Sequence, residues 1–330
     1  MKRAFWVLGL AALLAVGCKK DETSSAGGSG GTAASTQSSL TIAVIPKGTT
    51  HAFWRAVDAG AEDAGAKLGV KIIWKGPLKE DDRLGQITVI QQFVGQGVSG
   101  IVVAPLDSKA LLEPVQTAMG KKIPVVIMDS ALEGTVGQDF VSFVATDNEH
   151  GGELGGEELA RIMGNKGNVV LLRYAEGSAS TEAREAGFLK AIAKYPDIKV
   201  VSENRHGGAT ADSAAKESLN MIDEIKKADG IFTPNESTTA GMLSAMRSAG
   251  VTGKKFVGFD ATSQLVDALK AGEVQALVAQ NPYKMGYESV TTLVNSIRGE
   301  KVEPRVDTGI LVINKDNLDK PEIQDLLKRS

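Results

Sequence analysis

The chain has 330 residues, 42% hydrophobic and 23% charged, with a formal net charge of −3, three histidines and one cysteine. The acidic balance argues against a nucleic-acid partner. Histidines at 51, 150 and 206 fall on separate segments without ligand spacing, which argues against a zinc site.

Residues 1–17 have the order of an export signal. Lys2 and Arg3 precede the apolar run AFWVLGLAALLAVG, which is too short for a stable membrane span and ends in Ala15-Val16-Gly17. Cys18 follows at once, an address rather than a redox centre. The segment resembles a lipobox, with Cys18 as the lipidated first residue of the mature protein; it departs from that pattern in having Ala15 three residues before the cysteine and Leu14 one place earlier. An ordinary cleaved signal with Cys18 incidental is the alternative, and both readings export the chain. Residues 18–39, KKDETSS through TQSS, carry almost no apolar side chain and read as a flexible tether. At about 5–6 Å × √n it would hold the body roughly 25 Å from its anchor.

From Leu40 onward, short apolar runs alternate with longer amphipathic stretches: LTIAVI, then AFWRAVDAGAEDAGAKLG; VKIIW, then DRLGQITVIQQFVGQG; GIVVAP, then SKALLEPVQTAMG; then IPVVIMD. The runs are rich in β-branched residues without period-2 polarity, as in strands covered on both faces, and the stretches between them have helical spacing. Repeated βα units give parallel sheets with right-handed crossovers. After FVSFVATDN the pattern restarts through GNVVLLRY, IKVVSE, ADGIFTPN, KKFVGFD and VQALVAQN, with ADSAAKESLNMIDEI expected as one helix. A body of about 290 residues usually divides into two cores. The expected fold class is therefore α/β, two similar doubly wound parallel-sheet lobes. GGELGG at 151–156 reads as close helix packing or a hinge flank, and Asp81-Asp82 and Glu157-Glu158 read as solvated helix starts favoured by the macrodipole.

Ligands of open parallel sheets bind beyond the carboxyl ends of the strands. Those positions here read PKGTTHAFW (46–54), PLDS (105–108), MDS (128–130), ATDN (145–148), RYAEGSAST (173–181), PNES (234–237), GFDAT (258–262) and AQNP (279–282). Carboxylates and amides at Asp129, Asn235, Asp260 and Gln280 can bond neighbouring hydroxyls, while the rings of Phe53 and Trp54 can cover the C–H face of a sugar. That combination suits a polyol or monosaccharide.

These segments, in this order and spacing, resemble the type I periplasmic substrate-binding proteins of the ribose-like group that serve ABC importers, over Leu40 to about Ile313. The marks are TIAVIPKGTTHAFW, IPVVIMDS, VSFVATDNEHGG, GSASTEAREAGF, GIFTPNESTTAGML, KFVGFDAT and VQALVAQNPYKMGY. The resemblance implies a multi-strand hinge and a pocket containing Phe53, Trp54, Asp129, Arg184 of the R-x-x-G-F string, Asn235, Asp260 and Gln280. Each has a simpler alternative: a helix cap or turn for Asp129 and Asp260, a core position for Trp54, and a surface ion pair with Glu182 or Glu185 for Arg184. Where ribose binders place Arg and Asn, this chain has Ser130 and His51, and Lys47 adds an ammonium at the end of the first strand unless it is a solvated loop charge. These departures point away from ribose itself and toward a branched, deoxy or open-chain polyol, as in rhamnose-type and furanosyl-autoinducer binders. A nucleoside is a further alternative.

The expected organisation is a signal at 1–17, a lipidated tether at 18–39, one lobe from 40–145 plus 282–309 and a second from 146–281 plus 310–330. Hinge closure on the ligand would be the mechanism. The partners implied are a small sugar or polyol, ABC permease subunits, and a membrane reached only through the Cys18 anchor at the cell envelope, for a protein that works as a monomer. A sensor that hands its loaded form to a membrane receptor is the alternative. No nucleophile elbow at a strand-to-helix turn, phosphate loop or HExxH string occurs in the sequence, and no catalytic residue, cofactor or metal is expected.

Overall fold

The computed structural model describes residues 40–329. The expected signal, the tether and Cys18 lie outside the described residues.

The first sheet begins with β1 (Thr41–Ile45), α1 (Ala52–Leu68), β2 (Lys71–Trp74), α2 (Arg83–Gln96), β3 (Gly100–Val103), α3 (Leu112–Gly120), β4 (Val125–Met128) and β5 (Ser142–Ala145). The second is built from α4 (Asn148–Met163), β6 (Gly167–Arg173), α5 (Ala179–Ile192), β7 (Ile198–His206), α6 (Ala211–Asn220), α7 (Ile222–Lys227), β8 (Gly230–Phe232), α8 (Glu236–Ser248), β9 (Lys255–Phe259), α9 (Ser263–Ala271) and β10 (Ala276–Gln280). The chain then returns: α10 (Pro282–Ile297) and β11 (Arg305–Asp307) join the first sheet, and β12 (Ile310–Asn314) and α11 (Pro321–Lys328) complete the second.

The sheet orders are β11-β5-β4-β3-β1-β2 and β12-β10-β9-β8-β6-β7. Neighbouring strands are parallel except β12, which runs antiparallel to β10 with Gln280 opposite Ile310. The absence of polar alternation in the strands has a direct cause. In the first sheet Ile42, Val44, Val102 and Val126 enter one core, while Ala43, Ile45, Ile101 and Val125 enter another on the opposite face. The second sheet repeats this with Val170, Leu172 and Ile231 against Val169, Leu171 and Phe232. Every side chain along such a strand is removed from water, so hydrophobic burial drives both faces.

Helix ends follow local chemistry. Asp82, Asp147, Thr262 and Asn281 each accept a backbone N–H of the first turn of their helices, and α1 stops at Gly69, whose φ of 69° is the left-handed cap that glycine adopts without strain. Two expectations need correction. The stretch expected as one helix is broken at Met221 (φ −108°, ψ 24°) into α6 and α7, which places Met221 and Ile225 together in the core. Glu157-Glu158 is not a helix start but lies within α4, where Glu158 pairs with Arg161 at 2.7 Å and accepts from Asn314. The GGELGG string is close packing: a Cβ on Gly152 would overlap the carbonyl oxygen of Arg184, and one on Gly155 would press on Phe232.

The chain passes between the sheets three times, at residues 146–147 between β5 and α4, at 281 between β10 and α10, and at 308–309 between β11 and β12. The carboxyl ends of both sheets face one another across these crossings, and the site lies there. Among the described residues no helix is long and apolar enough to cross a membrane.

Candidate functional site

Asp129 and Asp260 occupy matching places, one just beyond β4 and the other just beyond β9. Both have left-handed backbone, φ 63° and 68°. Each backbone N–H continues its sheet's ladder, to the carbonyl of Val144 in one case and Val278 in the other. Such a conformation costs a non-glycine residue of order 1–3 kcal/mol, and it turns both carboxylates off the strand direction into the cleft. Neither residue is the N-cap of a helix that follows it: α9 is capped by Thr262, and no helix follows Asp129 directly.

On the second lobe Asp260 accepts from Gln280 Nε2 at 2.8 Å and from the backbone N–H of Glu236 at 2.7 Å. Burial pushes its carboxyl up to about 6, with Arg184 and Gln280 opposing. Arg184, 2% exposed, donates through Nε to Asn148 Oδ1 at 2.9 Å and through Nη1 to the Pro234 carbonyl at 3.0 Å, with its guanidinium 4.1 Å from the Phe259 ring centroid. Its pKa is lowered by burial, against the nearby carboxylates of Asp260, Asp129, Glu80 and Glu185. No surface ion pair to Glu182 or Glu185 forms; Glu185 instead binds Arg173 at 2.7 Å. Asn235 caps α8, its Oδ1 accepting from Thr238.

On the first lobe Lys47 is 3% exposed and is not a solvated loop charge. Its ammonium lies 3.2 Å from Asp129 Oδ2 and reaches the second lobe at Ser180 Oγ (2.9 Å) and Ser178 Oγ (3.3 Å). Phe53 and Trp54, at the start of α1, meet edge to face with centroids 4.9 Å apart and ring planes at 88°. Trp54 belongs both to the core beneath the cleft and to the cavity wall.

A carboxylate outside the expected set organises this wall. Glu80 accepts from Trp54 Nε1 at 2.6 Å, lies 2.7 Å from His51 Nδ1, and accepts from the Tyr174 hydroxyl of the second lobe at 2.7 Å. Burial alone would raise the Glu80 pKa, but His51, Lys47 and Trp54 hold it down at about 2. Burial likewise opposes protonation of His51, yet Glu80, with Glu236 and Asp260 behind it, raises that imidazole to about 9. His51 Nε2 lies 3.2 Å from the Ala209 carbonyl, across the cleft. Glu236 crosses in the other direction. Its two oxygens accept from the backbone N–H groups of Ala52 and Phe53, each at 3.0 Å, so a carboxylate sits on the positive end of α1.

Lys47, His51, Phe53, Trp54, Asp129, Arg184, Asn235, Asp260 and Gln280 line one cavity with Glu80, Tyr174, Ser180, Thr181 and Glu236. Its cavity volume is about 30 Å³, so the lobes close over a cleft that is nearly filled by its own side chains. Ser130 stands apart from it: fully buried, its hydroxyl accepts the backbone N–H of Ser180 and ties the lobes together. Of the cavity residues that the sequence did not single out, Glu80, Tyr174, Ser180 and Glu236 each have a partner on the opposite lobe. Tyr174 and Glu236 lay within the polar strand ends already noted, whereas Glu80 lies between β2 and α2 with no local mark. Among the described residues, no group of three or more His, Cys, Asp or Glu side chains is placed to hold a metal ion.

A periplasmic binding protein domain model matches residues 42–301. The chain belongs to the periplasmic binding protein family. It is 29% identical to the ribose import binding protein of Haemophilus influenzae, over 83% of this chain and 91% of that one. It is 30% identical to the D-allose-binding periplasmic protein of Escherichia coli K12, over 79% and 86%. A crystallised carbohydrate transporter solute-binding protein from Agrobacterium radiobacter, in complex with D-arabinose, superposes with a TM-score of 0.84 at 34% identity, covering 88% of this chain and all of that one. The expected two-lobe parallel α/β fold and the family resemblance both hold.

Proposed function

We propose that this periplasmic binding protein captures a neutral monosaccharide or related polyol between its lobes and delivers it to an ABC importer. The observation that carries the reading is a buried donor and a buried acceptor without partners in one cavity: Arg184 Nη2 and Gln280 Oε1. An unpaired buried polar atom costs about 1–3 kcal/mol, and adjacent sugar hydroxyls both donate and accept, so one ligand satisfies both. Phe53 and Trp54 supply apolar faces to the same space. The cations Lys47, His51 and Arg184 nearly balance Glu80, Asp129, Glu236 and Asp260 in charge, which favours an uncharged ligand. The relatives named for ribose, allose and arabinose agree with this class.

Release and capture proceed by rotation about the three chain crossings, and the ligand selects the closed state by bridging groups of both lobes. The role is binding without turnover. Export and anchoring through a lipid on Cys18 keep a monomeric body at the cell envelope, next to its importer.

Titration calorimetry of the purified protein against D-ribose, D-allose, D-arabinose, xylitol, nucleosides and furanosyl autoinducers tests the assignment. A saturable signal for a sugar or polyol is expected. Binding of a nucleoside alone, or of nothing in the panel, refutes the ligand class.

A further inference from the structure

The Glu80 carboxylate is buried and joins three partners that no stretch of sequence connects. Trp54 Nε1 and the Tyr174 hydroxyl donate to it at 2.6 and 2.7 Å, and His51 Nδ1 lies at 2.7 Å. Trp54 and His51 belong to the first lobe with Glu80 itself, while Tyr174 directly follows β6 of the second and is buried. A carboxylate with four lone-pair sites can take all three, and charge-assisted bonds in a site shielded from water are the strong ones. Rotation of the lobes apart would separate the phenol from the carboxylate, because Tyr174 alone of the three partners comes from the other lobe.

We propose that Glu80 is the positioning residue of the closed cleft: it orients Trp54 and His51 as one wall and latches that wall to Tyr174, so that ligand retention depends on it. The proposal deepens the sugar-receptor reading and rests on it for the ligand arm alone. The charged groups facing this cluster are Lys47, Asp81 and Asp129 on its own lobe and Arg184, Glu236 and Asp260 toward the other. Of these Lys47 adds to His51 in holding the Glu80 carboxylate ionised.

The test uses the full chain with Glu80→Gln and, separately, Tyr174→Phe. Proton NMR follows the titration of His51, which is readable because the chain has three histidines. With Glu80→Gln the His51 titration is expected to fall by about 1–3 pH units, since a carboxylate neighbour contributes that much. Tyr174→Phe leaves the titration in place but removes the latch. Stopped-flow release of whichever of D-ribose, D-allose, D-arabinose or xylitol the wild type binds is expected to quicken by about tenfold or more in both variants, the loss of one hydrogen bond to a charged group. Unshifted His51 titration in Glu80→Gln, or wild-type release in Tyr174→Phe, overturns the proposal. If the wild type binds no sugar or polyol of the panel, the ligand assignment is what fails, and small-angle scattering of ligand-free protein decides the latch. A larger radius of gyration for Tyr174→Phe than for wild type supports it, and equal radii refute it.

Discussion

Asp260→Asn separates what this carboxylate does for the ligand from what it costs the fold. Burial raises the Asp260 pKa from 3.8 to about 6. Between those pH values the folded chain holds a proton that the unfolded chain has lost, so stability is greatest at low pH and falls as pH rises through about 4 to 6. At 1.36 kcal/mol per unit, the full penalty is about 3 kcal/mol, of which about 2 kcal/mol develops between pH 4 and pH 8. Asparagine cannot ionise and escapes it. Its amide nitrogen, however, replaces one of the two oxygens that accept from Gln280 and Glu236. One donor is then left unpaired, at a pH-independent cost of about 1–3 kcal/mol. Urea unfolding of ligand-free wild type and variant at pH 4 and pH 8 therefore gives a stability difference that shifts by about 2 kcal/mol in the variant's favour at the higher pH. A difference that does not change with pH refutes the buried, ionising Asp260. In calorimetry at pH 8 the same variant binds sugar more weakly by about 1–3 kcal/mol, the loss of charge-assisted bonds; unchanged affinity removes Asp260 from the ligand site.

Lys47→Met leaves Asp129 buried without its 3.2 Å cation, and urea unfolding at neutral pH should show a loss of about 3–5 kcal/mol, as for other broken buried pairs. Gly152→Ala drives a methyl into the Arg184 carbonyl at the crossing of α4 and α5; overpacking there should lower stability by about 1–3 kcal/mol and displace Arg184, read as a lower melting temperature together with weaker sugar binding. Cys18→Ser should move the protein from the membrane fraction to the soluble fraction of cells that express the full chain; retention in the membrane would refute lipid anchoring.

Much of this protein is legible along the chain because the signals are local. A β-branched run without polar alternation marks a strand buried on both faces, and the residue that follows it marks the ligand edge of a sheet. Lys47, Asp129, Asn235, Asp260 and Gln280 are found by that rule, and Arg184 by its R-x-x-G-F string. Local pattern does not settle the alternatives, however. Lysine after a strand reads equally as a loop charge, and Arg184 beside Glu182 and Glu185 has a surface pair as its alternative, until Ser180 of the second lobe meets Lys47 and the Phe259 ring meets Arg184.

The alternation of strands and helices, the family and the polar strand ends that line the cleft were legible in the sequence alone, since each rests on periodicity within one element or on residues a few places apart. Tertiary structure alone decided how the two edges meet. Glu80 finds Tyr174 across 94 residues, Lys47 finds Ser180 across 133, and Glu236 finds the first turn of α1 across 184. The left-handed turns at Asp129 and Asp260 that aim both carboxylates into the cleft are held by the neighbouring strand of each sheet, through Val144 and Val278, rather than by any local motif. A buried charge is tolerated only where its partners converge, and those partners come from separate βα units that only folding brings together.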